Sequence, residues 1–286
     1  MRDLISAEPF SPIEHSVRNA VSELMNTKLP VTIISEANLQ GSLSVAPIEA
    51  ALLESNIQYR RRLGSHISDG MENCIIIETS REGIGAEWNA ERNILTVTET
   101  MSVALSGHQG DPKIGPLTTV SICHCIAQLI SPSGPKVRRM RPWAISGNWI
   151  HNCMDMTYDP VYASLKDTLR SEGSIRVVPI TEVPMPNVEN LDFIDSEKLQ
   201  EISSRWYSMG NEGRARTISH LVRGALQSTT PSTSRLEEIV WSCIMAPGWK
   251  SDLASQIRLS SSIWKDNDKR NASSRIIDSL IRNGNL

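Results

Sequence analysis

Several absences bound what this chain can be. Five cysteines, an odd number without a C-x-x-C pair, argue against a disulfide framework and against a zinc ribbon. No apolar run approaches the roughly 20 residues of a membrane span, and the opening MRDLISAEPFSP lacks the basic end and apolar centre of a secretory signal. A cytoplasmic protein without a membrane partner is therefore expected. Charge of one sign is also lacking: 29 basic residues against 32 acidic ones leave a net charge of −3. Nucleic acid would have to be held by local patches rather than by a global field. There is no G-x-S-x-G, no H-E-x-x-H and no Walker-type loop, so serine hydrolase, zinc protease and P-loop ATPase chemistries have no support. No internal repeat is present.

What is there is organised around residues 30–62. Residues 31–34 are apolar and β-branched, which suits a buried strand, and residues 36–42 form a polar turn containing Gly41. Val45, Ile48, Ala51 and Leu52 then recur at helical spacing, and residues 57–59 read as the next strand. A strand, a helix and a second strand in this order form a right-handed crossover, which implies a parallel sheet with helices on its faces. Groups at the carboxyl ends of such strands line the binding crevice, which puts Glu36, Asn38 and Gln40 there.

Two further apolar runs, 74–77 and 94–98, each end on a carboxylate, Glu78 and Glu99, so three glutamates are expected along one sheet edge. A helix over 11–25 carries its stripe on Ile13, Val17, Ala20, Val21 and Leu24. A Gly-rich turn around His108 leads to a helix over 117–130, in which Cys123, His124 and Cys125 would point in different directions and pack as buried groups rather than bind a metal. Tyr59 with Arg60, Arg61 and Arg62, and the run of Lys136, Arg138, Arg139 and Arg141, could hold phosphates, since the guanidinium fork matches their oxygens; solvated faces or internal ion pairs are the alternative. An apolar segment over 143–150 passes through Gly147 to His151. Beyond residue 155 the reading is a strand near 175–178 and helices over 195–209, 211–226, 235–245 and 268–285. Trp206, Trp241, Trp249 and Trp264 are expected mostly in the core. The fold class is thus α/β: a parallel sheet of about five strands flanked by helices over residues 1–155, followed by a smaller, mainly helical part over 156–286.

The order of parts from residue 30 to residue 152 resembles the DHH phosphoesterases, the RecJ-like superfamily. The family pattern Asp-x-Asp-x-Asp-Gly has its counterpart in Glu36-Ala37-Asn38-Leu39-Gln40-Gly41. The family's second aspartate corresponds to Glu78, its Asp-His-His signature falls near Thr98-Glu99-Thr100 with both histidines missing, and its last metal-binding aspartate falls at or near His151. A two-metal site needs several anionic ligands to offset the repulsion between the ions. Asn38 and Gln40 supply no negative charge, and glutamate reaches one methylene further than aspartate.

The resemblance therefore implies a degenerate member without catalytic residues or a bound cofactor. Inactive members of the superfamily include the subunit that joins MCM and GINS in the replicative helicases of archaea and eukaryotes. The expected function is accordingly a replication scaffold that binds GINS and MCM, associates with the nucleoid and contacts single-stranded DNA through the two arginine runs. The alternative is a manganese- or magnesium-dependent single-strand exonuclease or oligonucleotide phosphodiesterase, in which Glu36, Glu78, Glu99, His108 and His151 form a rebuilt ligand set.

Overall fold

The computed structural model describes the chain apart from Met1, Lys28, residues 65–69, His108, residues 152–154 and 156–157, Asn190, residues 226–230 and Asn267, and apart from the side chains of residues 265 and 266. Strand β1 (Val31–Ser35) runs parallel to β2 (Tyr59–Leu63) on one side and to β3 (Cys74–Glu82) on the other. Strand β3 runs parallel to β5 (Ile94–Ser106). The 13-residue β5 has two further partners: β4 (Ala86–Asn89) lies antiparallel along its first half and β6 (Pro112–Leu117) along its second. The result is a mostly parallel α/β sheet in the order β2-β1-β3-β5-β4, with β6 on β5.

Helix α1 (Glu14–Asn26) lays Val17, Ala20, Val21 and Leu24 against β4 and β5. Helix α2 (Leu39–Glu54) makes the crossover from β1 to β2 and is buried continuously from Gly41 to Leu52. A helix apolar all round needs cover on more than one side. Here α3 (Thr119–Ile130) lies along one side of α2 and the C-terminal helix, Lys269–Asn283, along another. Each large apolar side chain buried this way, such as Ile33, Leu43 or Leu52, contributes about 1.5–3 kcal/mol.

Several boundaries differ from the sequence expectation. Helix α2 starts at Leu39 because the Asn38 side chain caps it, so Gln40 and Gly41 lie in its first turn and not in a loop. Strand β2 takes in all three arginines, and strand alternation then sends them to opposite faces. Strands β3 and β5 continue past Glu78 and Glu99, so Glu99 is a mid-strand residue opposite Glu82 and does not end its strand. The segment 235–245 is not one helix: Thr233–Val240 is helical, and Cys243–Met245 pairs antiparallel with Arg176–Val178.

The division near residue 155 is not a gap in the packing, because one hydrophobic core runs from Leu4 to Leu280. The rings of Trp143 and Trp249 lie 5.3 Å apart, and both indole N–H groups donate to the Gly284 carbonyl, at 3.0 and 3.3 Å. Trp206 is buried with them in the same core, whereas Trp241 is exposed. Among the described residues no helix is long and apolar enough to cross a membrane.

Candidate functional site at the carboxyl edge of the sheet

Glu36 follows β1 directly, and its Oε2 accepts three hydrogen bonds: from Asn38 Nδ2 at 2.9 Å, Thr79 Oγ1 at 2.7 Å and Ser80 Oγ at 2.7 Å. The two hydroxyls belong to β3, so the carboxylate ties the ends of neighbouring parallel strands together. Asn38 is committed as fully: Nδ2 also donates to Thr79 Oγ1 at 2.8 Å, and Oδ1 accepts from the Gly41 N–H at 2.7 Å, capping α2. Gly41 fits because a Cβ there would lie 2.4 Å from the Glu36 carbonyl oxygen and 2.6 Å from Ser35 Oγ. Gln40 turns inward as well, donating from Nε2 to Thr119 Oγ1 at 3.3 Å at the start of α3.

The second part of the edge is built on β5. Glu99 is buried, and its Oε1 lies 3.0 Å from His151 Nε2. Burial pushes the Glu99 carboxyl above the usual carboxylate range; His151 pulls it down, and Glu82 and Asp159 push it further up. His151 is delivered by the short helix Ser146–Ile150, which packs closely on the start of α3 because a Cβ on Gly147 would stand 2.2 Å from Thr118 Oγ1. Beside it the buried Asn148 donates to the Pro116 carbonyl at 2.8 Å and to Asp159 Oδ2 at 3.0 Å. Asp159 also caps the helix Pro160–Ser171. Arg235 closes the flank: it stacks 4.9 Å from the Trp149 ring, donates to the His151 carbonyl at 3.1 Å and pairs with Asp155 at 2.8 Å.

Of the residues expected here, Glu36, Asn38 and Gln40 thus gather at the end of β1, and Glu99 meets His151. Glu78 instead pairs with Arg81 at 3.0 Å, and His108 lies outside the described residues. Thr79, Ser80, Asn148, Asp159 and Arg235 were not foreseen. The Asp159-Pro160 pair is a helix-start signal that could have flagged one of them. Two divalent ions do not fit this arrangement. The Glu36 oxygen that would face a metal is saturated by donors, Glu99 is held by an imidazole, and Asn38 and Gln40 are neutral and directed into the protein. Among the described residues no group of three or more His, Cys, Asp or Glu side chains is placed to hold a metal ion. Cys123, His124 and Cys125 are buried on α3, and burial pushes both thiols far above their ordinary range.

The arginine runs divide. Arg60 and Arg62 are exposed on β2, whereas Arg61 is held by Glu49 and Asp278. In the second run Arg138 is exposed and Lys136 half-buried, while Arg139 donates to the Ile281 and Arg282 carbonyls at the end of the C-terminal helix. Arg141 is 2% exposed and bound to Glu172, Gln128 and the Arg2 carbonyl. Arg61 and Arg141 are therefore removed from any external phosphate, because each already carries charge-assisted bonds inside the protein. No protein-family model matches the sequence, and no curated protein is significantly similar to it.

Proposed function

We propose that this chain is a degenerate, catalytically inactive relative of the DHH phosphoesterases that serves as a replication scaffold, binding GINS and MCM proteins and contacting single-stranded DNA through exposed basic residues. The observation that carries the reading is the saturation of Glu36: three donors from its own chain occupy the carboxylate oxygen that a catalytic ion would need. Asn38 and Gln40 strengthen it, since both side chains serve the start of α2 and its packing against α3. A carboxylate that ties β1 to β3 is a structural part, and a framework kept in place by such parts can outlast the reaction it once served.

The test combines two measurements on the full chain. Pull-down with GINS and MCM proteins from the same organism is expected to retain the chain, and failure to do so would count heavily against the scaffold. Incubation with end-labelled single-stranded DNA in manganese or magnesium is expected to give no cleavage. Manganese-dependent cleavage that disappears in Glu78→Gln would instead establish the exonuclease alternative, with the glutamates as working ligands.

A further inference from the structure

At the opposite, amino edge of the sheet, an open groove of about 670 Å³ runs between the last turns of α1 and the turn joining β4 to β5. We propose that this groove binds an organic cation, an alkylammonium or a guanidinium group. Every electrostatic feature of its described lining has the same sign. Glu23 is the charged residue among them, and no Lys, Arg or His is. Asn26 and Thr27 mark the carboxyl end of α1, where the aligned peptide dipoles leave a partial negative charge. Trp88, half-buried on β4, contributes an indole, whose face carries the negative end of the ring quadrupole and attracts cations.

The fourth feature is Asn93, in the left-handed region at φ 53°. Its amide orientation is fixed by a chain of bonds. Asn73 Nδ2 donates to the Leu29 and Pro30 carbonyls at 2.9 Å each, so Asn73 can offer Asn93 only its oxygen, and Asn93 Nδ2 donates to it at 2.5 Å. Asn93 Oδ1 is left buried with no donor. A buried acceptor without a donor is costly, and an ammonium or guanidinium N–H supplies what it lacks. The nearest arginines are occupied elsewhere: Arg92 donates to the Met71 carbonyl at 2.9 Å, and Arg18 pairs with Glu14 at 2.9 Å. A phosphate or carboxylate ligand would meet only repulsion from Glu23 and the helix end.

The cation could be a free amine or a Lys or Arg side chain of another polypeptide, and one titration series separates the two. The full chain is titrated by calorimetry at physiological ionic strength with n-butylammonium, n-butylguanidinium, a lysine-rich peptide and, as the neutral control, n-butanol. The cations are expected to bind at millimolar concentrations or below, and the alcohol is not. A peptide that binds more tightly than the free amine identifies a basic segment as the natural occupant; equal affinity identifies the free amine. Glu23→Gln should weaken binding about 2- to 5-fold, Trp88→Leu about 2- to 30-fold, and Asn26→Lys should abolish it. Glu23 and Asn26 are exposed, so those two variants keep the test decisive even if Trp88→Leu disturbs the fold. No binding of any cation, equal binding of butanol, or affinity unchanged in Glu23→Gln and Asn26→Lys would overturn the proposal.

Discussion

Arg61 closes a two-point ion pair on Glu49, Nε to Oε1 at 2.5 Å and Nη2 to Oε2 at 2.7 Å, and with the same Nη2 reaches Asp278 at 2.9 Å. Edge strand β2, crossover helix α2 and the C-terminal helix are thereby fastened at one point. Glu49 sits mid-helix with its side chain 1% exposed, so its charge depends on this partner. Burial acts against the Arg61 charge, but Glu49 and Asp278 outweigh it and hold the guanidinium more firmly protonated than usual. Tyr59 beside them is pushed up to about 12 by its own burial and by Glu49. Removing one partner of a buried pair leaves the other uncompensated, so Arg61→Ala should cost about 3–5 kcal/mol in urea unfolding. The double variant Glu49→Leu with Arg61→Met should recover most of that loss, because it leaves no charge stranded. Equal losses in the two variants would show that the pair is not coupled.

The same division of arginines makes a prediction about DNA. Arg60→Ala with Arg62→Ala removes two exposed cations and should leave unfolding within about 0.5 kcal/mol of the parent, while reducing retention on single-stranded DNA. Arg141→Ala should do the reverse. Its guanidinium bonds Glu172, Gln128 and the Arg2 carbonyl in a buried site, and losing it should cost about 3–5 kcal/mol with DNA retention unchanged in the folded fraction. Filter binding at two salt concentrations, set beside unfolding curves, separates the two behaviours.

Gly41 offers a test of the site's geometry. Its φ is not the constraint; space is, because an added Cβ would fall 2.4 Å from the backbone oxygen of Glu36, which cannot rotate away. Gly41→Ala should therefore destabilise by about 1–3 kcal/mol despite alanine's better helix propensity. A gain in melting temperature would mean that the turn from β1 into α2 relaxes more easily than its bonds imply.

His124 predicts the acid limb of stability. Burial, helped by the nearby Arg141 charge, holds its folded pKa at about 3, and its Nε2 has no hydrogen-bond partner. The folded chain therefore keeps the ring neutral while the unfolded chain protonates near the ordinary value of about 6.5. The unfolded state binds more protons throughout that window, so stability is intact above it and falls as pH drops. Between pH 7 and pH 5 this group alone should remove about 2 kcal/mol. Glu172 adds to the loss only at lower pH: Arg141 and Ser174 outweigh its burial and hold it below the usual carboxylate range, so its contribution fades as pH falls through its folded pKa. His124→Leu should flatten the pH 7 to pH 5 decline measured by urea unfolding, and an unchanged decline would place the titration elsewhere.

The strand–helix–strand unit at residues 30–62 was legible in the sequence because its signals are local: a β-branched run, a polar turn and apolar residues at helical spacing all fall within about thirty positions. So were the helix stripe of α1 and the C-terminal helix. Strand ends were less legible. Glu78 and Glu99 look like terminators beside apolar runs, yet both strands continue because β4 and β6 pair along β5, and no local feature announces those partners. The roles of charged residues were decided only by the tertiary structure. Arg60, Arg61 and Arg62 are chemically identical in sequence, and the alternation of β2 alone turns one towards Glu49 and leaves the other two exposed. Likewise the sequence placed Glu36 at the edge of a parallel sheet, but its saturation by Thr79 and Ser80 depends on β3 lying next to β1. Propensity and periodicity are written along the chain; whether a polar group is free to act is set by which distant residues the fold brings within hydrogen-bond reach.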